Sequence, residues 1–251
     1  MTQFGGLLWF AITLLPLAVL QRLLHREIQA VFLILTRSPE ISVALFSLIF
    51  FPGVLLHEFS HYLAAVILGV SAPGFSLIPR VLPDGRLQLG YVETERTDIV
   101  RDSLIGGAPL LAGALLVAYL ALTRLELLPL WEVLRGGQWA AFWTDIARLP
   151  QARDFPLWFY LLFTVSSTML PSQSDRHAWL PLGLALLVLL VLAFVAGAGP
   201  WMLTHFTPPL NAFFSAISVI FGLSAAVHTT IILAVGALHL LLARFAGVDV
   251  A

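Results

Sequence analysis

The chain has 251 residues, of which 59% are hydrophobic and 11% are charged, and its formal net charge is −1. A soluble domain carries about 25% charged residues, so this composition indicates a multi-pass membrane protein. The near-zero net charge argues against a nucleic-acid partner, and the absence of cysteine excludes disulfides and thiolate metal ligands.

Six apolar segments predict an all-α polytopic membrane protein with about six transmembrane helices. The segments lie at 4–21, 41–70, 104–123, 156–171, 178–199 and 211–243. The start of the chain lacks the basic region of a secretory signal peptide, so we expect the first segment to be a retained span. We interpret residues 1–251 as one integral domain of the cell membrane, with its core at 41–177 and additional spans at 178–251.

The predicted spans differ in regularity. Between the first two, Gln21 to Glu40 mixes arginines with apolar residues, which favours an amphipathic helix at the membrane interface. The fourth segment is short for a span. The last is long enough to tilt, to break near Gly222 or to project beyond the bilayer.

Two connecting stretches have patterns of their own. Alternating runs around a Pro83-Asp84-Gly85 turn predict a small β-hairpin, from Phe75 to Val92, after the second segment. Residues 125–155 carry three tryptophans and scattered charges. Because tryptophan prefers the headgroup level, we expect this stretch to lie along the membrane surface.

The pattern with the clearest chemical meaning is HExxH at residues 57–61, within the second apolar segment. Residues four apart share a helix face, so His57 and His61 can hold one metal ion together. Glu58 lies about 100° from His57 around the helix, near enough to reach a water on that metal. Ionisable groups within a membrane are costly and are read first as functional. The pattern predicts a zinc hydrolase with Glu58 as its general base; the alternative is a polar cluster between helices.

A catalytic zinc usually has three protein ligands, so another side chain must join the two histidines. Asp175 is the leading candidate, because it follows a proline and small polar residues that can unwind a helix toward a buried site. It could instead cap the next helix. His177, two residues on, could reach the same site, and His228 could contribute from the last span or form a hydrogen bond between helices.

The remaining histidines and a glycine-rich run have simpler interpretations. His25, His205 and His239 fall near the expected membrane interfaces, where a solvated or snorkelling side chain is the usual outcome. The Gly106-Gly107-Ala108-Pro109 run opens the third span and predicts close helix packing through small residues.

With these residues in view, the stretch 41–110 resembles the site-2 protease family of intramembrane zinc metalloproteases. The similar features are the apolar run into HExxH, the short β region after it, and a Gly-Ala-Pro turn opening the next span. The resemblance implies that Asp175, which follows Met169-Leu170-Pro171, completes a zinc site with His57 and His61. Ser174-Asp175-Arg176 stands here where the family usually has Leu-Asp-Gly.

The resemblance also implies a zinc endopeptidase that cuts membrane proteins within or near a transmembrane helix. Its partners would be such a substrate and the lipid bilayer. An extended substrate segment could pair with the predicted hairpin by strand addition. We expect the hairpin side chains to contact that segment: Phe75, Leu77, Leu87, Leu89 and Tyr91.

Three other functions remain open at this stage. A hydrolase of a lipid or small amide would use the same residues with a different groove. A catalytically silent scaffold would keep the helices without needing Glu58. A transporter or channel is disfavoured because the charged residues concentrate between the spans and not within them.

Overall fold

The protein is described by a computed structural model covering residues 5–81 and 87–247. The α-helices are α1 Gly5–Thr36, α2 Pro39–Ile67, α3 Ile99–Tyr119, α4 Leu127–Arg135, α5 Trp139–Arg148, α6 Phe155–Thr168, α7 Trp179–Ala193, α8 Gly199–His205 and α9 Thr207–Ala246. Short π-helical turns follow α3 and α7, and a 3₁₀ turn follows α5. The strands are β1 Gly74–Ser76, β2 Arg80–Val81, β3 Leu87–Gln88 and β4 Tyr91–Glu93.

The helices confirm an all-α membrane protein with a small β element. Among the described residues, five stretches are long and apolar enough to cross a membrane, where about six spans were predicted. They are Gly5–Thr36, Pro39–Ile67, Ile99–Arg124, Trp179–His205 and Thr207–Ala246. Phe155–Thr168 is a shorter apolar helix, as the length of the fourth segment predicted.

The prediction of a separate interfacial helix at residues 21–40 is wrong, because α1 continues to Thr36 as one helix of 32 residues. Leu24, Ile28 and Val31 are buried, so packing within the bundle, and not the membrane interface, holds this half of the helix. The last segment is likewise one helix, α9, which passes Gly222 without a break.

The helix that carries the HExxH residues has well-defined ends. Ser38 begins α2 as its N-cap, accepting a hydrogen bond from the Ile41 N–H, and Pro39 occupies the first turn, where a missing N–H costs nothing. The chain turns away beyond the helix at Gly69, whose φ of 69° suits glycine.

The order of contacts along the helices gives their directions. At the start of α1, the N–H of Gly6 donates to the Asn211 side chain near the start of α9. Later in α1, Glu27 contacts His239 near the end of α9, so α1 and α9 run parallel. Ser42, near the start of α2, donates to the Gln29 carbonyl, and Phe50, further along α2, packs against His25, which precedes Gln29 in α1. Helices α1 and α2 are therefore antiparallel.

The segment Trp179–His205 follows the Asp175 loop and leads into α9. Trp179 donates its ring N–H to the Ser103 carbonyl, near the start of α3, and α9 starts beside the start of α1. All side chains of α7 are at least partly exposed. A left-handed residue, Gly197, redirects the chain between α7 and α8.

Close helix contacts at glycine bring α2, α3 and α6 together. A Cβ atom on Gly53 of α2 would overlap the Thr164 carbonyl of α6, and one on Gly113 of α3 would overlap Met169 just after α6. Buried apolar side chains fill the space between these helices and α1 and α9, including Phe46, Phe50, Leu162, Val117 and Phe221. This packing fixes the ends of α2 and α6, where the polar residues lie.

The predicted hairpin is confirmed as two short antiparallel pairs. Phe75 pairs with Val92 in the β1–β4 pair, and Arg80 pairs with Gln88 in the β2–β3 pair. The predicted turn at residues 83–85 lies outside the described residues. Residues 125–155 contain α4 and α5, on which Trp131, Trp139 and Trp143 are exposed, as a surface-lying stretch requires.

Candidate metal centre

Three side chains converge at the end of α2. His57 and His61 lie one turn apart on the same face, and their Nε2 atoms are 3.2 Å apart. Asp175 enters from the loop between α6 and α7, with Oδ2 at 3.6 Å from His57 Nε2 and Oδ1 at 3.5 Å from His61 Nε2. The three residues form a group that could hold a metal ion.

The spacing of these atoms suits zinc. Two ligands at about 2.0–2.1 Å from a tetrahedral zinc are about 3.4 Å apart. The His57–His61 separation of 3.2 Å lies near that value, and each ring nitrogen has a different Asp175 oxygen at 3.5 or 3.6 Å. With one ligand atom taken from each residue, the three atoms lie within 4.8 Å of one another. Two imidazoles and one carboxylate are also a ligand set that leaves a fourth position open in catalytic zinc sites.

Backbone carbonyls orient both histidine rings. The Nδ1–H of His57 donates to the Thr168 carbonyl at 2.6 Å, and the Nδ1–H of His61 donates to the Ile105 carbonyl at 2.8 Å. A carbonyl only accepts, so the proton of each neutral ring sits on Nδ1 and the Nε2 lone pair faces Asp175. Histidines that bind metals are held by this kind of hydrogen bond, which fixes the tautomer and the ring direction.

Local hydrogen bonds hold the carboxylate of Asp175 in place. The Ser172 N–H donates to Asp175 Oδ2 at 2.6 Å, and the Asp175 N–H donates to Ser172 Oγ at 3.3 Å. A carboxylate must be charged to bind a metal, and the Ser172 N–H donor stabilises the charged form of Asp175.

Glu58 is buried beside the cluster, with 8% of its surface exposed, and the β-hairpin covers it. A Cβ atom on Gly90 would lie 2.8 Å from Glu58 Cγ and 3.0 Å from the Ser76 carbonyl oxygen. Only glycine at position 90 lets the hairpin approach Glu58 this closely. The sequence singled out Glu58 and missed Gly90.

The alternative third ligands lie elsewhere. The imidazole of His177 is mostly exposed, and its Nε2 contacts Asp102 at 2.8 Å. His228 is fully buried and meets Ser167 at 2.9 Å, which is the hydrogen bond between helices that the sequence left open.

Two of the histidines expected at the membrane interface are not solvated, so that expectation is wrong for them. His25 packs edge-on against Phe46 and Phe50 between α1 and α2. His239 meets Glu27 at 2.6 Å between α1 and α9. Helix packing covers both because α1 continues along α9 beyond the first predicted span. His205 is exposed, as expected.

The hairpin residues expected to bind substrate differ in how much of their surface is free. Phe75 is 43% exposed and stands beside the Tyr62 ring, so it can contact another molecule. Leu77, Leu87 and Leu89 pack against the apolar core and have only part of their surface free. The ring of Tyr91 lies under the guanidinium of Arg80, 4.2 Å from its centre.

The glycine run at the start of the third span packs closely, as predicted, and one of its glycines contacts the Asp175 loop. A Cβ atom on Gly106 would overlap the carbonyl oxygen of Asp175, so the absence of a side chain lets the Asp175 loop lie against α3. At Gly107, the nearest atom to such a Cβ is in the Trp179 ring, at an ordinary contact distance of 3.7 Å.

These neighbouring glycines allow a matched prediction. We expect Gly106→Ala to displace the Asp175 loop, costing roughly 1–3 kcal/mol of stability as overpacking does, and to lower metal occupancy. Gly107→Ala should leave metal occupancy unchanged and should leave stability unchanged or slightly raised, because alanine favours the helix. Thermal unfolding and elemental analysis of the two variants measure this, and equal effects would contradict the assigned contact.

Comparison of the chain with protein-family models, with curated proteins and with solved structures gives no match.

Proposed function

We propose that the protein is an intramembrane zinc metalloprotease that hydrolyses peptide bonds in or near transmembrane segments of other membrane proteins. The observation that carries the proposal is the cluster of His57, His61 and Asp175, whose ligand atoms lie within 4.8 Å of one another, with both rings oriented by backbone carbonyls. The resemblance of residues 41–110 to the site-2 protease family supports the same chemistry.

The proposed mechanism assigns each side chain one task. Zinc held by His57, His61 and Asp175 would supply Lewis-acid chemistry, lowering the pKa of a water and polarising the substrate carbonyl. Glu58 accepts the proton of that water as the water attacks the peptide carbonyl carbon. Glu58 then donates the proton to the leaving nitrogen, and the C–N bond breaks. Burial of Glu58 under the hairpin limits competing solvent near the reacting atoms.

The substrate must be extended at the cleaved bond, because a helical peptide keeps its carbonyls hydrogen-bonded. The β1–β4 pair lies over Glu58, and in the described part of the chain this sheet has two strands, so each strand has one edge without a paired strand. An extended segment paired with such an edge would pass close to Glu58, which is how strand addition presents a peptide. The exposed Phe75 would then contact an apolar substrate side chain.

The proposal is tested in two stages. Protein purified without chelator should carry about one zinc per chain, lost when His57 or His61 becomes Ala. Membranes from cells expressing wild type should contain fragments of a single-span protein that stays intact with Glu58→Ala. Absence of metal from the wild type would exclude the metalloenzyme. Metal with a lipid or small-amide product, and no cleaved protein, would identify a different hydrolase.

A further inference from the structure

A second layer of buried polar residues lies behind the candidate metal centre, at the end of α6. Ser167 and His228 are fully buried, and the Ser167 hydroxyl meets His228 Nε2 at 2.9 Å. His228 Nδ1 contacts the Ser224 carbonyl at 2.7 Å. Because that carbonyl only accepts, Nδ1 carries the proton, and Ser167 must donate its hydroxyl proton to Nε2. The proposed chemistry uses none of these groups.

The end of α6 has carbonyls that the helix itself cannot satisfy. The carbonyl of Ser167 would normally accept from the N–H four residues on, but that residue is Pro171, which has none. Gln21 of α1 supplies the missing hydrogen bond through its side-chain amide. The next carbonyl, that of Thr168, accepts from His57 Nδ1 at 2.6 Å.

Through the end of α6, these contacts connect α1 and α9 to the His57 ring of α2. Gln21 of α1 holds the Ser167 carbonyl, His228 of α9 holds the Ser167 hydroxyl, and the adjacent Thr168 carbonyl orients His57 of α2. A shift of the α6 end would move the Thr168 carbonyl and with it the Nε2 lone pair of His57. A buried hydrogen-bonding group left without its partner is costly, and a shift of the α6 end that restores a partner is therefore favoured.

We propose that Gln21 and His228 are positioning residues that set the direction of the His57 ring through Ser167 and Thr168. This inference rests on the proposed metal-binding function and goes beyond it, by assigning control of the site to α1 and α9. Their sequence positions, in the first and last spans, lie outside the stretch that resembles the family.

The test uses Gln21→Met and His228→Leu, which remove the polar contacts while keeping apolar bulk. Zinc dissociation constants are measured by chelator competition, and the visible absorption of the Co²⁺-loaded protein reports the coordination geometry. Loss of groups that orient a metal ligand typically weakens binding about 10–100-fold, and we expect this together with altered Co²⁺ bands. Ser167→Ala, which keeps the Gln21 contact, should give part of the His228→Leu effect.

Asn211→Leu is the matched control, because Asn211 accepts from the Gly6 N–H at 2.6 Å between the same two helices, α1 and α9. It should lower the melting temperature without changing zinc affinity or the Co²⁺ spectrum. Wild-type protein that binds no zinc would overturn the proposed function. Tight zinc binding by wild type, with unchanged affinity and spectrum in folded Gln21→Met, would overturn the positioning role alone. Gln21→Met keeps the test decisive if His228→Leu does not fold.

Discussion

Replacing Glu58 with Gln should abolish turnover while zinc stays bound. Gln keeps the shape of the side chain but cannot accept a proton, and general-base catalysis typically contributes about 10²–10⁴-fold to a rate. Glu58 lies beside the cluster without belonging to the three-residue group, so metal content should not change. The measurement is cleavage of a substrate identified in wild-type membranes, paired with elemental analysis of the same preparations.

Glu95→Gln provides the control for this experiment. Glu95 is an exposed acid that follows the hairpin, and its removal changes the charge of the protein equally. It should cleave substrate at the wild-type rate. Near-normal cleavage by Glu58→Gln would show that Glu58 is not the base, and loss of zinc from that variant would make it a ligand.

Replacing Asp175 with Ala should remove both metal binding and activity. The change deletes one of three ligands, so zinc affinity should fall more than about 100-fold, beyond the 10–100-fold typical of residues that only orient a ligand. If Asp175 acted only as a helix cap, its loss would cost about 1 kcal/mol of stability and leave the metal in place. Chelator competition and thermal unfolding separate the two outcomes.

His177→Ala is the neighbouring control. His177 lies two residues from Asp175 but contacts Asp102 on α3, outside the cluster. Its loss should leave zinc affinity and cleavage unchanged. Weakened zinc binding in His177→Ala, combined with retained zinc binding in Asp175→Ala, would identify His177 as the third ligand in place of Asp175.

Composition and residue spacing alone predicted the class of the protein and the two histidines of the candidate site. The low charged fraction and the six apolar segments predicted a helical membrane protein, because burying charge in lipid is costly. The four-residue spacing predicted that His57 and His61 share a face, since that follows from the helix repeat. The alternation around residues 75–92 predicted the hairpin, because turn chemistry is local.

Spacing could not determine which residue joins the two histidines. Asp175 lies more than a hundred residues along the chain, and His177 offered the same chemistry two positions away. The choice depends on how closely the loop approaches α3 at Gly106, which is a tertiary contact.

The extent of α1 was also a tertiary outcome. Residues 21–36 have the mixed composition of an interfacial helix, yet they continue α1, which packs along α9 and buries Ile28 and Val31. The same packing brings Gln21 to the end of α6, where Pro171 leaves a carbonyl without a partner. A carbonyl left without a partner on one helix can be paired by a side chain of another helix only if the two lie close together. The folded structure alone determines how the helices are placed.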